Sequence, residues 1–460
     1  MQRLQKYSTI QFVPRVDRIL RSHLMTSSIS ERTASPALVR GIRKWDLLAL
    51  VINSVVGGGI FGLPARAYAL AGVYSLIAYL VCAIAIFLIT LCFAEVASRF
   101  EDTGGPYLYA RSTFGSVVGF EVGWLSWIVR LAAFASLCNL FADYLIYFLP
   151  ASGTAMGRVI VSTMVVAVLA IANFAGVRFA SIAGNILVVG KLVPLVLLVL
   201  AGLFFVKPEN YAAAAIPNFQ GFSASALVLL FAFTGFEIAV IPAGESADPH
   251  RYLPRALLVG TLIVALLYVA IQAICIGTVP QLANSQKPLA DVGEQIMGPT
   301  GAGIISLVAL ISVTGTMNAI MLAAPRLLFA MAEQRQLPRF MAATHSRFHT
   351  PHIAILVTAI GMLALTLTGT FAFAATLSTV IRLTTYAVTC AALPMLRRKT
   401  GKPAPFAVPA GTVVTVLSLL LIGWLFSSSS WREVRLALLA GIIGLFVFGI
   451  GRSRTTGMVS

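Results

Sequence analysis

Four ionisable side chains and one run of glycines stand in places where they are costly. Lys191, Glu237, Arg130 and Arg382 lie inside apolar runs, and Gly57-Gly58-Gly59 interrupts another, Val55-Val56-Gly57-Gly58-Gly59-Ile60-Phe61-Gly62. A charge at a bilayer centre costs at least about 2.5–3.5 kcal/mol even on lenient insertion scales, so a retained one is a functional hypothesis. A lysine amine or a glutamate carboxyl can load and release a proton, and an arginine fork can hold a carboxylate. Each glycine costs a helix about 1 kcal/mol against alanine, so three in a row invite the helix to stop. In hydrocarbon a stopped helix bares N–H and C=O groups, which must be satisfied by protein, water or ligand. The same stretch contains a literal G-x-G-x-x-G, from Gly57 to Gly62. No strand precedes it and no βαβ unit surrounds it, so the dinucleotide reading fails on context.

The elements that must position these groups are membrane helices. Of 460 residues 58% are hydrophobic and 11% charged, with a mean hydropathy of +0.91. Apolar runs of span length recur along the chain. The expectation is an all-α polytopic membrane protein, not an enzyme, with twelve transmembrane helices at about 45–71, 74–99, 117–149, 158–177, 180–206, 222–244, 256–280, 301–331, 352–370, 373–396, 408–427 and 433–451. Residues 1–44 are polar and rich in Arg and Ser. They lack the apolar core of a signal peptide and read as a disordered cytoplasmic arm, with Met25 as an alternative start. Residues 452–460 read as a cytoplasmic tail. The five cysteines, Cys82, Cys92, Cys138, Cys275 and Cys390, all lie inside apolar runs with neither metal nor disulfide spacing, and no cofactor is expected.

The net charge of +17 is an orientation signal. With the N-terminus inside, 24 of the 33 Lys and Arg fall in cytoplasmic segments, nine of them in the arm. Only Arg158, Lys207, Lys287, Arg432 and Arg435 fall outside. The positive-inside rule therefore places both termini in the cytoplasm of a plasma-membrane protein, and nucleic acid is not an expected partner.

A second interruption lies in span six, where Thr234, Gly235 and Glu237 break the apolar run and Pro242 disturbs it again. Spans one and six are five apart. Interrupted helices at matching places in two halves point to a secondary transporter built from inverted repeats, here 45–206 (helices 1–5) and 222–396 (helices 6–10). Helices 11 and 12, 408–451, lie outside the repeats. The half-helix beginning near Ile60 offers free N–H groups and a positive dipole end. The half-helix ending near Val55, like the first half of span six, offers carbonyls. Together they describe a receptor for an α-amino acid, with a packing notch or a kink as the structural alternative. On the receptor reading, Gly58 and Gly59 act through backbone N–H groups and not through absent side chains.

Several motifs resemble one family. Phe93-Ala94-Glu95-Val96-Ala97-Ser98-Arg99-Phe100, then Gly104-Gly105-Pro106-Tyr107-Leu108-Tyr109-Ala110-Arg111 and Phe114-Gly115, resemble the loop after helix two of amino acid permeases of the amino acid–polyamine–organocation superfamily. The segment from Gly244 to Ala256 is similar to their post-helix-six motif, and Pro325 to Met331, Leu337-Pro338 and Thr350-Pro351-His352 to their helix-eight exit. The resemblance covers spans one to ten. It implies a five-plus-five inverted repeat with discontinuous helices 1 and 6, alternating access, and substrate binding at the two breaks. Carried over by motif, it puts the substrate carboxylate on the amides of Gly58 and Gly59, beside Gly57. The ammonium would meet carbonyls of Val55, Phe231 and Thr234, and Phe231 matches an aromatic gate. Ile320 and Arg130 align with side-chain pocket positions.

Lys191 resembles the lysine of proton-coupled relatives, which replaces the cation of sodium-coupled ones between helices one and eight. The alternative is a snorkelling lysine near the cytoplasmic end. Glu237 reads either as a stabiliser of the break or as a proton relay. Arg130 reads either as a clamp for a second carboxylate or as a partner of Glu237. Glu95 is expected to anchor an inner gate with Arg99 or Arg326, and Arg382 has no expected partner. The committed expectation is proton-coupled symport of an amino acid, with an exchanger, a polyamine transporter or a non-transporting sensor as rivals. The expected partners are thus an amino acid substrate, a proton and the lipid bilayer.

Overall fold

The computed structural model describes residues 43–100, 104–175, 180–212, 216–241, 246, 248–348, 350–400 and 403–456. The arm up to residue 42, the start at Met25, Pro242, Gly244, Glu245, Ala247, Lys402 and the tail from 457 lie outside the described residues.

Every α-helix and 3-10 turn follows a legible local cause, and among the described residues there is no β-strand. The helices are α1 (Lys44–Val55), α2 (Gly59–Ala71), α3 (Ser75–Ala97), α4 (Gly105–Phe114), α5 (Ser116–Leu145), α6 (Ala155–Ala175), α7 (Ala180–Gly202), α8 (Phe219–Phe233), α9 (Pro249–Thr278), α10 (Pro288–Glu333), α11 (His352–Thr368), α12 (Phe371–Thr400), α13 (Gly411–Ser427) and α14 (Trp431–Thr456). The Asn218 side chain accepts from the Gly221 N–H at 2.7 Å and starts α8. Asp248 accepts from the Arg251 N–H at 3.2 Å and Pro249 follows at the first position of α9, the usual pairing of an N-cap with a proline that has no N–H to lose.

Seven described stretches are long and apolar enough to cross a bilayer: Gly59–Ala97, Ser116–Leu145, Ala155–Phe174, Phe219–Ile238, Pro249–Thr278, Pro288–Glu333 and Phe371–Lys399. Gly411–Ser427 and Trp431–Gly449, bent by 115° to one another, raise this to eight if they form one span. Their outward faces are apolar. Ile77, Leu80 and Ile84 on α3, Met164, Val168 and Ile171 on α6, and Val413, Val416 and Leu420 on α13 are exposed at helical spacing. A surface that turns apolar stripes outward is solvated by lipid. The chain is a membrane protein.

Inside the bundle, α5 packs against α10, α11, α12 and α4, while α1 packs against α9 and α2 against α8. This crossing brings the two interruptions together. The first matches expectation: α1 stops at Val55 and α2 begins at Gly59. The second differs. After Phe233 the chain passes through Gly235 at φ +116° and makes only a 3-10 turn, Phe236–Ile238. The left-handed glycine reverses the path, and the Glu237 carboxylate folds back to accept the Gly235 N–H at 2.9 Å. The expected loop after span two contains a helix of its own, α4, begun by Pro106 and stopped by Gly115 at φ +96°. The long α10 is kinked at Met297 and Gly298, so its straight portion begins close to the expected start of span eight.

Candidate functional site

The break between α1 and α2 leaves donors open. The Val56 N–H reaches the Ile52 carbonyl (2.8 Å), the Gly57 N–H the Val55 carbonyl (2.7 Å) and the Phe61 N–H the Gly58 carbonyl (3.0 Å). The N–H groups of Gly58 and Gly59 make no hydrogen bond among the described residues, as the first turn of α2 requires. On the carbonyl side, Tyr268 on α9 donates its hydroxyl to Val55 O at 3.0 Å.

Lys191 closes the end of α1. Its side chain is 2% exposed, and its Nζ donates to Val56 O at 3.4 Å and to Thr316 Oγ1 of α10 at 3.3 Å. A Cβ at Gly57 would stand 3.3 Å from the Thr316 methyl. The ammonium thus sits in the interior, between the unwound end of α1 and α10, and not at a membrane surface.

The second break is braced from within. Thr234 turns its N–H (3.2 Å) and its hydroxyl (2.8 Å) onto the Phe231 carbonyl. Glu237 Oε2 accepts from the Gly235 N–H and from Tyr386 OH at 2.8 Å. Glu237 Oε1 stands 3.4 Å from Arg382 Nε. Phe236, Phe93 and Tyr386 close around one another, with ring centroids 5.1–5.4 Å apart. On the other side of the break Phe231 meets the edge of Phe371 at 6.5 Å.

The breaks touch through their glycines. A Cβ on Gly235 would lie 2.2 Å from the Ser54 carbonyl oxygen, and one on Gly59 would lie 2.7 Å from Ala232 Cα. Both neighbours are backbone, so neither can yield. At Gly58 the nearest atom is a Leu137 methyl carbon, 2.2 Å from the same construction. The absent side chains at positions 58 and 59 therefore matter for packing as well as for access to the amides, against expectation.

The expected residues fall into place unequally. Val55, Gly57, Gly58, Gly59, Lys191, Phe231, Thr234 and Glu237 are brought to the crossing of α1, α2 and α8 or to its immediate supports. Of the carbonyls expected to meet an ammonium, Val55 O and Phe231 O already accept two hydrogen bonds each. Thr234 O accepts none among the described residues. Ile320 lies one turn beyond Thr316 on α10 and is buried. Arg130 on α5 donates Nη1 to its own helix, at Ser126 O, at 2.8 Å. The ion pair considered between Arg130 and Glu237 is made by Arg382 instead, from the facing helix α12. Sequence reasoning missed Tyr268, Thr316 and Tyr386. Tyr386 carried a signal, being one turn from the intramembrane Arg382.

At one end of the bundle Glu95 is fully buried. Arg397 holds it with Nε (2.8 Å) and Nη2 (2.5 Å), joined by Arg99 Nη2 (3.0 Å) and the Val408 N–H (2.8 Å). Arg326, one of the two expected partners, donates to Leu322 O of its own helix at 2.7 Å. Nearby, Tyr107 and Arg111 of α4 both donate to Gln334, just past α10. At the other end Tyr144 donates to Phe61 O at 2.8 Å, and Arg158 pairs with Asp143 at 2.5 Å.

Residues 42–448 match the family model described as amino acid permease. The chain is 27% identical to a methylthioribose transporter of Bacillus subtilis (strain 168), covering 92% of this chain and 96% of that protein. It is 26% identical to a branched-chain amino acid permease of the same organism, covering 94% and 97%. It is 29% identical to that organism's serine/threonine exchanger, over 67% of this chain and 72% of the exchanger.

Proposed function

The chain belongs to the amino acid permease family, and from that premise we propose that it moves an amino acid across the plasma membrane by alternating access, in symport with a proton. In this reading twelve spans are arranged as two inverted repeats, 45–206 and 222–396. Spans 11 and 12 stand outside the repeats, and both termini lie in the cytoplasm. The substrate carboxylate binds the open amides of Gly58 and Gly59 beside Gly57, at the positive end of α2. The ammonium binds the Thr234 carbonyl, with Val55 and Phe231 shaping that wall. Phe231 gates the site, and Ile320 and Arg130 line the side-chain pocket. Glu237 holds the second break in shape.

The observation that carries the reading is the contact between the two breaks, with Lys191 beside it. Gly59 lies on Ala232 and Gly235 on Ser54, so unwound donors and unwound carbonyls share one place inside the protein. Lys191 bridges Val56 O and Thr316, where a fixed ammonium can stand in for a bound cation in one state and be discharged in another. Such an amine couples a proton to the spacing of α1 and α10. An exchanger is the second reading, favoured by the name of the serine/threonine exchanger. A polyamine substrate is disfavoured by Arg130 and Arg382, which repel a polycation.

Uptake of radiolabelled amino acids into proteoliposomes, with and without an imposed inward proton gradient, tests both parts. The expected result is accumulation above the external concentration only with the gradient, and its loss in Lys191→Met while counterflow continues. Uphill uptake undiminished in Lys191→Met removes the coupling role. Counterflow without gradient-driven accumulation in the unsubstituted protein establishes the exchanger.

A further inference from the structure

The intramembrane charges around the second break do not balance. Two guanidinium groups, Arg130 and Arg382, face one carboxylate, Glu237. Both oxygens of Glu237 are engaged, Oε2 by the Gly235 N–H and Tyr386 OH and Oε1 by Arg382 at 3.4 Å. Arg382 is 8% exposed and its Nε completes no hydrogen bond. Arg130 is left with a single hydrogen bond among the described residues, to a carbonyl of its own helix, while lying within electrostatic range of both Glu237 and Arg382. A guanidinium held in a membrane interior without an anion of its own is poorly compensated.

Position along α5 says where the missing anion comes from. Arg130 and Leu137 are seven residues apart, two turns on one face. The Leu137 side chain is the one that stands against Gly58. Arg130 therefore lies about 10 Å along the helix from the open amides. From Cα, a glutamate carboxyl carbon is about 4 Å away and an arginine terminal nitrogen about 7 Å, counting bonds of ordinary length. An α-amino acid seated by its α-carboxylate on Gly58 and Gly59 can thus extend a second carboxylate to the Arg130 fork, once the fork leaves Ser126. Shorter or neutral side chains leave it unpaired, and cationic ones meet two like charges.

We infer that Arg130 is the specificity-determining residue of this site and that the substrate is an amino acid with an anionic side chain. This rests on the reading of the breaks as an α-amino acid site. Once bound, the side-chain carboxylate makes a bidentate charge-assisted pair and supplies the anion that the cluster lacks.

Competition and direct uptake in proteoliposomes with L-glutamate, L-aspartate, L-glutamine, L-leucine and L-arginine test it. Glutamate is expected to have a KM about 30-fold below that of its isostere glutamine, the low end of what losing one member of a buried charge pair costs. L-Arginine is expected not to compete. In Arg130→Gln the ratio of the two KM values falls by the same factor, and Arg130→Lys restores part of it. Transport of leucine, glutamine or arginine with no competition from glutamate or aspartate overturns the inference and leaves amino acid transport standing. An unchanged glutamate preference in Arg130→Gln overturns it too. Failure of all five to move overturns the transport reading itself.

Discussion

The two breaks are built from the same kind of residue and end up chemically opposite. The first has three glycines, resumes as a helix at Gly59, and leaves the Gly58 and Gly59 N–H groups open. The second has one glycine, does not resume as an α-helix among the described residues, and has its loose N–H taken by its own carboxylate, Glu237. Open donors attract anions and a self-satisfied turn does not. The difference teaches that a broken helix becomes a receptor only where the protein declines to cap it. One break supplies donors for a ligand; the other, stiffened by Glu237, Tyr386 and Arg382, supplies the wall against which they are aimed.

Substitutions can break that contrast in graded fashion. The largest effect is expected from Gly235→Ala. A left-handed alanine with its Cβ 2.2 Å from the Ser54 carbonyl forces the breaks apart, and a loss above about 4 kcal/mol is expected. The measurement is thermal unfolding in detergent, with transport abolished. Glu237→Gln comes next. It strands Arg382 without its counter-ion, at about 3 kcal/mol. Pairing it with Arg382→Gln should recover part of that stability in a double-mutant cycle. No recovery would mean that the pair is not the brace. Gly58→Ala sharpens the comparison with Gly59→Ala. The first meets movable leucine methyl groups and is expected to cost about 1–3 kcal/mol by overpacking. The second meets the Ala232 backbone and should cost more, so equal melting shifts would contradict the packing seen here. The smallest effect is Tyr268→Phe. Removing the hydroxyl on Val55 O costs about 1 kcal/mol, read as a melting shift of a few degrees.

The breaks were legible in the sequence because glycine and threonine inside an apolar run conflict with helix and with membrane at once. The charges were legible as charges for the same reason. Their partners were not. Glu95 and Arg397 are 302 residues apart, and nothing local distinguishes Arg397 from Arg326, which bonds its own helix instead. Glu237 was read with Arg130 as a partner and is paired with Arg382, because only the packing of α12 beside the second break decides which guanidinium is nearer. The 3-10 turn after Gly235 was hidden as well. Apolar periodicity over residues 236–241 reads the same for a 3-10 turn and an α-helix, and the deciding contact is the backbone of Ser54, far off in the chain.

The clasp on Glu95 has a consequence for how the protein is made. Its carboxylate is completed by a side chain at 397 and a backbone N–H at 408, so a ribosome must add more than 300 residues after Glu95 before the clasp can close. At ordinary elongation rates that is about 15–60 s. For all that time the nascent chain carries an incompletely matched charge at the end of its third helix. Chains released before residue 408 should be recognised as unfinished by membrane quality control, however well their earlier helices have inserted.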